Sequence, residues 1–498
     1  MILRHEAASK MRFLRCVLAA VLLIAGCAPS APEIRTVRMA YSHDMVTLDP
    51  HAHADTVTGT VLSAVYEGLV SFEPGLPVRA GLADRWTTPD DTTWRLHIRE
   101  NVRFHDGRML TPADVVASIE RAHESRIVGH QLDLIESVRE VGEGIIEIKT
   151  SIPAPLLLTR LENVAIVPPN FDPAIPIGTG PYAWRVGSIQ GPVLFDRWQD
   201  YWGERPDFEE VSVQFVSSRE ELAALIHQQK LDIVSAVTVS YVRDHEPHES
   251  WRIVSIPVTA TTFLALNVSK PPLDDLRVRQ AVDLAIDRPS LVAGIYPEAT
   301  TRPADSLVSP AVFGFSPDHR SNGADLERAR QSLADAGVAP GTAVHLDFPG
   351  RYSELVQPLK DALAEIGLIA VPQQHSFDAF YRRIEEAANQ MFIFTWSFRV
   401  ADASPFLDAF VHSRDPLRGL GMFNGAAFAS PDLDAAIERA AHEPRSDVRL
   451  QLLQDLLLKV SEERVYLPLL HPSVMTLVRE PFILDHRQVR PQDIHLRR

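Results

Sequence analysis

Strand-like runs and amphipathic helical runs alternate along nearly the whole chain, and this alternation restricts the fold more than any other feature. Short apolar runs rich in β-branched and aromatic residues predict strands. The strand candidates are 37–41, 94–98, 145–149, 211–216, 251–258, 262–268, 344–348 and 391–398. Because helical runs separate most of these strands, the pattern predicts a mixed α/β architecture and argues against a helical bundle or a β-sandwich.

Several predicted helices have recognisable ends. Thr111 offers a capping hydroxyl, Pro112 suits a first helical turn and Asp114 follows at the third position, so a helix is predicted to begin here. Asp274 is predicted to open a second helix. Ser353 is predicted to cap a third, which ends at Gly367 because glycine tolerates the left-handed backbone that terminates helices.

Length and charge limit the domain organisation and the partners. A chain of 498 residues exceeds what one hydrophobic core usually supports, so two or three lobes are expected. The formal net charge of -16 argues against general nucleic-acid binding, because phosphate binding requires a positive surface. Both cysteines, Cys16 and Cys27, precede the predicted folded body, which therefore has no disulfide, no cysteine-based zinc site and no thiolate nucleophile.

The N-terminus has the order of a bacterial export signal. A basic segment at 11–15 precedes the apolar run 16–24, which is too short for a stable membrane span. The following Leu23-Ile24-Ala25-Gly26-Cys27 resembles a lipobox, in which the cysteine thiol carries a diacylglycerol. We therefore predict a lipoprotein-type signal peptide over 1–26, lipidation of Cys27 and a Pro-rich tether over 27–35. Translation from Met1 and from Met11 both fit this order.

Motifs for catalysis and cofactor binding are missing from the sequence. It contains no Walker loop, no His-Glu-x-x-His, no Gly-x-Ser-x-Gly and no dinucleotide fingerprint, so we predict neither an enzyme nor a cofactor. The cluster Gly178-Thr179-Gly180-Pro181 is predicted to be a tight turn. His51, His53 and Asp55 offer possible metal ligands, but such histidines are more often loop residues, and no metal site is predicted.

An ordered series of motifs resembles the family 5 extracellular solute-binding proteins, the peptide- and nickel-type receptors of ABC importers. The series begins with Leu48-Asp49-Pro50 and Val65-Tyr66-Glu67-Gly68-Leu69-Val70 and continues through Leu82-Ala83-Asp84-Arg85-Trp86 and Phe104-His105-Asp106-Gly107. It goes on through Gly178-Thr179-Gly180-Pro181-Tyr182, Tyr201-Trp202-Gly203, Arg277-Val278-Arg279-Gln280-Ala281-Val282 and Leu467-Pro468-Leu469. Each motif is weak alone, but their order over more than 400 residues identifies the fold.

The resemblance implies a clamp of the periplasmic-binding-protein type II, cluster C kind, with two hinged α/β lobes and an extra inserted lobe. On this basis the hinge-side lobe is predicted to be discontinuous, over 36–58, 178–262 and 468–498. The inserted lobe is predicted at 59–177 and the far lobe at 263–467. Closure of the lobes would bury the ligand between preformed walls.

The resemblance also locates a ligand site and one departure from the family. Peptide-binding members carry a tryptophan followed by an aspartate that pairs with the ligand's amino group. Aligned on Trp396, that position holds Arg399, which prefers carboxylate or phosphate. Asp402 would supply the amine partner if the loop shifts by three residues, and a structural ion pair is the other interpretation of Arg399. The predicted ligand-binding residues are Trp396, Ser397, Phe398, Arg399, Asp402, Met45 and Val46.

These features predict a monomeric, lipid-anchored receptor on the outer face of a membrane. It would capture a small organic solute, with oligopeptides favoured by the resemblance, and deliver it to an ABC permease. Two alternatives to this transport function remain open. One is a ligand sensor that presents its closed form to a signalling partner, and the other is a binder of a non-peptide anionic solute.

Overall fold

The computed structural model describes residues 35–71, 78–244, 249–296, 301–318, 323–484 and 490–496. The predicted signal peptide, Cys27 and most of the tether lie outside these ranges. Within the described part of the chain, no helix combines the length and the apolar character needed to cross a membrane.

A seven-stranded mixed sheet forms the first core. Its strands, in spatial order, are Trp251–Pro257, Ser473–Arg479, Ile233–Val237, Thr36–Tyr41, Glu210–Phe215, Val193–Arg197 and Tyr182–Val186. Strand Thr36–Tyr41 pairs in parallel with both of its neighbours, and the other pairings are antiparallel. Its alternate residues face opposite sides: Val37, Met39 and Tyr41 enter one apolar cluster and Ala40 enters another. The helices next to these strands in the sequence are Thr56–Leu62, Arg219–His227 and Val239–Asp244.

A six-stranded sheet forms the second core. Its strands, in spatial order, are Arg302–Pro303, Tyr466–His471, Ala260–Leu266, Met391–Ser397, Thr342–Pro349 and Leu368–His375. The helices on one face are Leu276–Ala285, Arg288–Ile295, Leu326–Asp335 and Ser353–Glu365. The helices on the other face are Phe377–Glu385, Pro431–His442, Ser446–Glu462 and the short helical segment 404–411. The sheet is therefore covered on both faces, which explains why its central strand Ala260–Leu266 is buried throughout.

A separate four-stranded antiparallel sheet is formed by the part of the chain between strands Thr36–Tyr41 and Tyr182–Val186 of the seven-stranded sheet. Its strands, in spatial order, are Ala83–Asp90, Thr93–Ile98, Ile145–Thr150 and Ile135–Gly142. Helices Pro112–His123 and Leu157–Leu161 pack against it in a core of their own. Two small two-stranded sheets pair Val70–Ser71 with Arg79–Ala80 and Phe482–Leu484 with Ile494–Leu496.

The structure confirms the predicted strands. The predictions of helix ends are less accurate. The Asp114 carboxylate accepts a 2.8 Å bond from the Thr111 backbone N–H, as the predicted helix start requires. The helix predicted to open at Asp274 is capped by Asp275, whose side chain accepts from the backbone of Arg277. The prediction that Ser353 is a cap is wrong, because the turn Gly350–Tyr352 precedes this helix and makes Ser353 its first residue.

The chain passes between the seven-stranded and six-stranded sheets at two adjacent places. Residues 258–259 join strand Trp251–Pro257 to strand Ala260–Leu266, and Pro472 alone joins Tyr466–His471 to Ser473–Arg479. The Val258 backbone N–H donates to the Pro472 oxygen at 3.3 Å, so the two crossings lie side by side. These crossings lie a few residues from the predicted lobe boundaries at 262/263 and 467/468.

Candidate functional site

Trp396 lies near the end of strand Met391–Ser397, opposite Thr261 in the neighbouring strand. Its ring packs edge-on against Phe410, with centroids 5.4 Å apart, and also contacts Phe423. The side chain is therefore part of the aromatic core on one face of the six-stranded sheet. Its indole Nε1–H is buried without a hydrogen-bond partner in the structure, which is costly unless something outside the protein accepts that bond.

The two residues after Trp396 face different environments. Ser397 is the last residue of its strand, and its side chain is exposed. Phe398 is buried and packs against Phe406, and its backbone N–H donates to the Thr259 oxygen at 2.7 Å. Phe398 therefore attaches this segment to the first of the two sheet crossings, and its side chain contributes to the core.

Arg399 reaches across to an N-terminal segment of the chain. Its Nη2 donates to the Ala54 backbone oxygen at 3.0 Å, and the side chain is exposed. Burial lowers the pKa of His53, and the nearby Arg399 charge contributes to the same shift. Arg399 is thus close to the loop 51–55, which leads into helix Thr56–Leu62.

Met45 and Val46 belong to this N-terminal side of the arrangement. Met45 is buried in the core of the seven-stranded sheet, and its backbone N–H donates to the Ile189 oxygen at 3.0 Å. Val46 is 56% exposed, and its backbone N–H donates to Thr58 Oγ1 at 3.0 Å. The Thr58 hydroxyl in turn donates to Asp55 at 2.6 Å, so hydrogen bonds connect Val46 to the loop that Arg399 contacts.

Asp402 is held in a buried ion pair. Its two carboxylate oxygens accept from Arg449 Nη1 at 2.6 Å and Nη2 at 2.8 Å, and both side chains are buried. One of these oxygens also accepts from the Ser404 backbone N–H at 2.9 Å. A ligand amine would have to share this carboxylate with Arg449. In this structure Asp402 therefore serves to hold its own loop in place.

His51 and His53 occupy separate environments. The buried His51 ring lies between the Ala165 oxygen, 2.8 Å from Nε2, and Arg121 Nη1, 2.7 Å from Nδ1. Burial lowers the pKa of His51 to about 4. His53 Nδ1 lies 3.2 Å from the Asp55 backbone oxygen. Both ring nitrogens of His51 are engaged, and no group of three or more metal-ligating side chains occurs among the described residues.

Sequence reasoning also missed two charged residues, Asp408 and Arg160, each of which affects the pKa of the other. Asp408 lies in the short helical segment two residues before Phe410, and burial raises its pKa to about 7. Arg160, near the end of helix Leu157–Leu161, has the largest electrostatic effect on Asp408. The signal in the sequence is a single carboxylate within the otherwise apolar run 406–411.

Comparison with known proteins identifies the family. Residues 77–416 match the family model described as bacterial extracellular solute-binding proteins, family 5 Middle. The chain belongs to this family. The glutathione-binding protein GsiB of Shigella boydii is 24% identical over 478 residues, which cover 90% of this chain and 91% of that protein.

Solved structures agree with the family 5 fold. NikA from Brucella suis, in complex with Fe(III)-EDTA, superposes with a TM-score of 0.82 at 20% identity, covering 93% of this chain and 100% of that one. DppA from Helicobacter pylori, in complex with the peptide STSA, gives a TM-score of 0.73 at 18% identity, covering 93% and 98%. As a family 5 protein, this chain is the extracytoplasmic substrate-binding component of an ABC importer.

Three of the family 5 motifs in this chain meet around one carboxylate. Glu67 accepts hydrogen bonds from the Thr179 hydroxyl at 2.8 Å, the Tyr201 hydroxyl at 2.9 Å and Trp202 Nε1 at 2.9 Å. At Gly178, an added Cβ would lie 2.0 Å from the Val65 backbone oxygen, so only glycine permits this approach. The motifs therefore join segments of the chain that are distant in the sequence.

Proposed function

We propose that this family 5 protein captures a small organic solute, with oligopeptides favoured, between two lobes that close on it. In this proposal, segments 36–58, 178–262 and 468–498 form the hinge-side lobe, 59–177 the inserted lobe and 263–467 the far lobe. The sheets support the division, since among the described strands only the two short crossings at 258–259 and Pro472 connect the two larger sheets along the chain. Few covalent connections of this kind suit hinge closure.

The contact between Arg399 and Ala54 is the observation that carries the proposal. It joins the segment after Trp396 to the loop beside Val46, and those are the two places where the family's ligand contacts are expected. Arg399 is exposed and uses one donor on a backbone oxygen, so its guanidinium keeps further donors for a ligand carboxylate. The contact supports a ligand site shared by both sides of the cleft.

The names of the relatives support an organic ligand with negatively charged groups. GsiB is named for glutathione, and the DppA and NikA structures hold a peptide and an Fe(III)-EDTA complex. All three ligands carry carboxylates, which suit a guanidinium such as that of Arg399. A non-peptide anionic solute is the second candidate, because Arg399 replaces the aspartate expected to bind a peptide's amino group.

Mass spectrometry of the solute released from natively purified protein tests this function directly. We expect a small organic molecule with at least one carboxylate. Small-angle scattering with and without that molecule should then show a smaller radius of gyration in the bound form. An unchanged radius with proven binding would argue against closure, and a protein that releases and binds no solute would contradict the receptor function.

A lipid anchor at Cys27 completes the proposal. The small residues before Cys27 and the Pro-rich segment after it support lipidation and attachment of a monomeric receptor to the outer face of a membrane. Replacing Cys27 with Ser should move the protein from the membrane fraction to the soluble fraction of fractionated cells. Unchanged membrane association of this variant would rule out the anchor and leave the binding function standing.

A further inference from the structure

A polar groove lies at the end of the six-stranded sheet that is remote from the two sheet crossings. It has a volume of about 430 Å³, and its lining includes Lys270, His345, Gln373, Arg383 and Gln390. A cavity of this size is within the range of small-molecule sites, which is about 300–1,000 Å³. None of the described residues that line it belongs to the predicted solute site.

The strands separate this groove from the candidate solute site. Gln390 immediately precedes strand Met391–Ser397, which carries Trp396 near its other end. An extended strand covers roughly 20 Å between these two positions, at about 3.3 Å per residue. Lys270 likewise follows the end of strand Ala260–Leu266 that is opposite the sheet crossing. The groove is therefore a second site on the proposed far lobe, outside the proposed cleft.

Hydrogen bonds between its own walls hold the groove in shape. The His345 backbone N–H donates to Gln390 Oε1 at 2.8 Å, and Gln390 Nε2 donates to the Pro271 oxygen at 2.8 Å. Gln373 Nε2 donates to His345 Nδ1 at 3.1 Å. Because Nδ1 accepts this bond, the proton of the neutral His345 ring is on Nε2, which has no partner among the described residues. His345 thus offers an unused donor from a fixed position.

Two cations supply further donors. Arg383 Nε donates to Asp347 Oδ1 at 3.0 Å and to Asn389 Oδ1 at 3.1 Å. Its Nη2 donates to a backbone oxygen at 3.3 Å, and Nη1 takes part in no hydrogen bond in the described part of the chain. The ammonium of Lys270, an exposed residue, has no partner within the described ranges. Since Asp347 balances the charge of Arg383, Lys270 is the cation in the lining that lacks a counter-charge.

A buried amide beside the groove also lacks a partner. Asn389 is 0% exposed and lies between Ala388 and Gln390, which both line the groove. Its Oδ1 accepts from Arg383, so its Nδ2 is the donor that has no partner among the residues described. A buried donor without an acceptor is unfavourable, which favours an oxygen-rich group close to Asn389.

We propose that this groove binds a phosphate group. A phosphate monoester has three strong acceptor oxygens. The groove presents three unused donors from separate segments of the chain, namely the Lys270 ammonium, Arg383 Nη1 and His345 Nε2. A carboxylate has two oxygens and would match this set less well. Soluble phosphate esters and phospholipid headgroups share the required chemistry.

Equilibrium dialysis of the purified protein against radiolabelled inorganic phosphate tests the site. We expect saturable binding of one phosphate per chain. Lys270→Gln should weaken this binding roughly 10–150-fold, because one charge-assisted hydrogen bond is lost. The matched control Lys459→Gln, at an exposed position in helix Ser446–Glu462, should bind phosphate like the wild type. No saturable binding, or wild-type affinity of a folded Lys270→Gln variant, would overturn the proposal.

A second variant tests the choice of phosphate over carboxylate. His345→Ala should weaken phosphate binding roughly 2–10-fold, since a neutral donor contributes less than a charged one. His227→Ala, at an exposed helix end on the other large sheet, is its control and should leave the binding unchanged. Unchanged phosphate affinity of His345→Ala would remove the third donor and overturn the assignment of a phosphate group.

Competition for the labelled phosphate identifies its source. Displacement by glycerol phosphate alone would assign the groove to a soluble ester, and displacement by phosphatidic acid vesicles, with phosphatidylcholine vesicles inactive, to a lipid headgroup. Acetate that displaces phosphate as well as glycerol phosphate does would overturn the choice of phosphate. Because the groove lies outside the proposed cleft, these results leave the receptor function to be tested by the released solute.

Discussion

Replacement of Glu67 by Gln should stabilise the protein at and above neutral pH. Burial raises the pKa of Glu67 from 4.5 to about 7, against the hydrogen bonds from Trp202, Thr179 and Tyr201 and the nearby Arg99 charge, which act in the opposite direction. The folded state therefore holds this proton more tightly than the unfolded state does. The resulting stabilisation is fully present below pH 4.5 and is lost as the pH rises through about 7.

The magnitude follows from the size of the shift. A rise from 4.5 to about 7 corresponds to about 3 kcal/mol of free energy of unfolding at pH 8. The uncharged glutamine of the Glu67→Gln variant would avoid this loss and keep every hydrogen bond. Its amide oxygen would accept from Trp202 and Thr179, which share one Glu67 oxygen, and its NH2 would donate to the Tyr201 hydroxyl. Glu67→Ala would instead leave three donors without an acceptor, at about 1–3 kcal/mol each.

Urea denaturation followed by circular dichroism at pH 4.5, 6, 7 and 8 measures both effects. We expect the Glu67→Gln and wild-type curves to agree near pH 4.5 and to diverge above pH 6, with the variant the more stable. Glu136→Gln, at an exposed position in the neighbouring four-stranded sheet, is the control and should follow the wild type. Parallel pH profiles for Glu67→Gln and the wild type, or a less stable Glu67→Gln variant at pH 8, would refute the reasoning.

Three further predictions address close packing, the buried ion pair and the ligand contact. In urea titrations, Gly178→Ala should lower the free energy of unfolding by at least about 2 kcal/mol, because its Cβ would lie 2.0 Å from a backbone oxygen. Gly294→Ala, in a helix with open space around this residue, should instead raise the free energy of unfolding by about 0.5–1 kcal/mol. Asp402→Ala should cost about 3–5 kcal/mol in the same measurement because Arg449 is left buried and unpaired; normal stability with lost binding would assign Asp402 to the ligand. Arg399→Ala should weaken binding of the released solute roughly 10–150-fold in calorimetric titration, with Arg399→Lys recovering part of the loss, and wild-type affinity would show that Arg399 does not contact the solute.

Where a local pattern predicted a strand, the structure has one, because each of those runs carries its own signal. The run Met391–Ser397 is apolar and aromatic and has no competing helical periodicity, so its sequence determines its state. Helix ends depend on which of several adjacent polar residues caps the first turn, and Asp274 and Asp275 are equivalent in this respect until the backbone is known. The dipeptide Pro349-Gly350 is typical of a turn, but it does not show that the turn runs to Tyr352 and makes Ser353 the first helical residue.

Contacts between distant segments were the part that the sequence did not predict. Asp402 and Arg449 are separated by 47 positions, and nothing local indicates that they pair. The motif containing Glu67 was recognised, but its meeting with Tyr201 and Trp202 depends on how two separate segments pack.

The position of the last strands affects the order in which this protein can fold. Strand Ser473–Arg479 lies between Ile233–Val237 and Trp251–Pro257, and strand Tyr466–His471 lies between Arg302–Pro303 and Ala260–Leu266. Each large sheet therefore has a gap until a segment beyond residue 465 arrives to fill it. During synthesis and export, the earlier strands that flank each gap have unpaired backbone edges until the last strands are added. A chain that stops before residue 466 would leave both gaps open to pairing with strands of other chains.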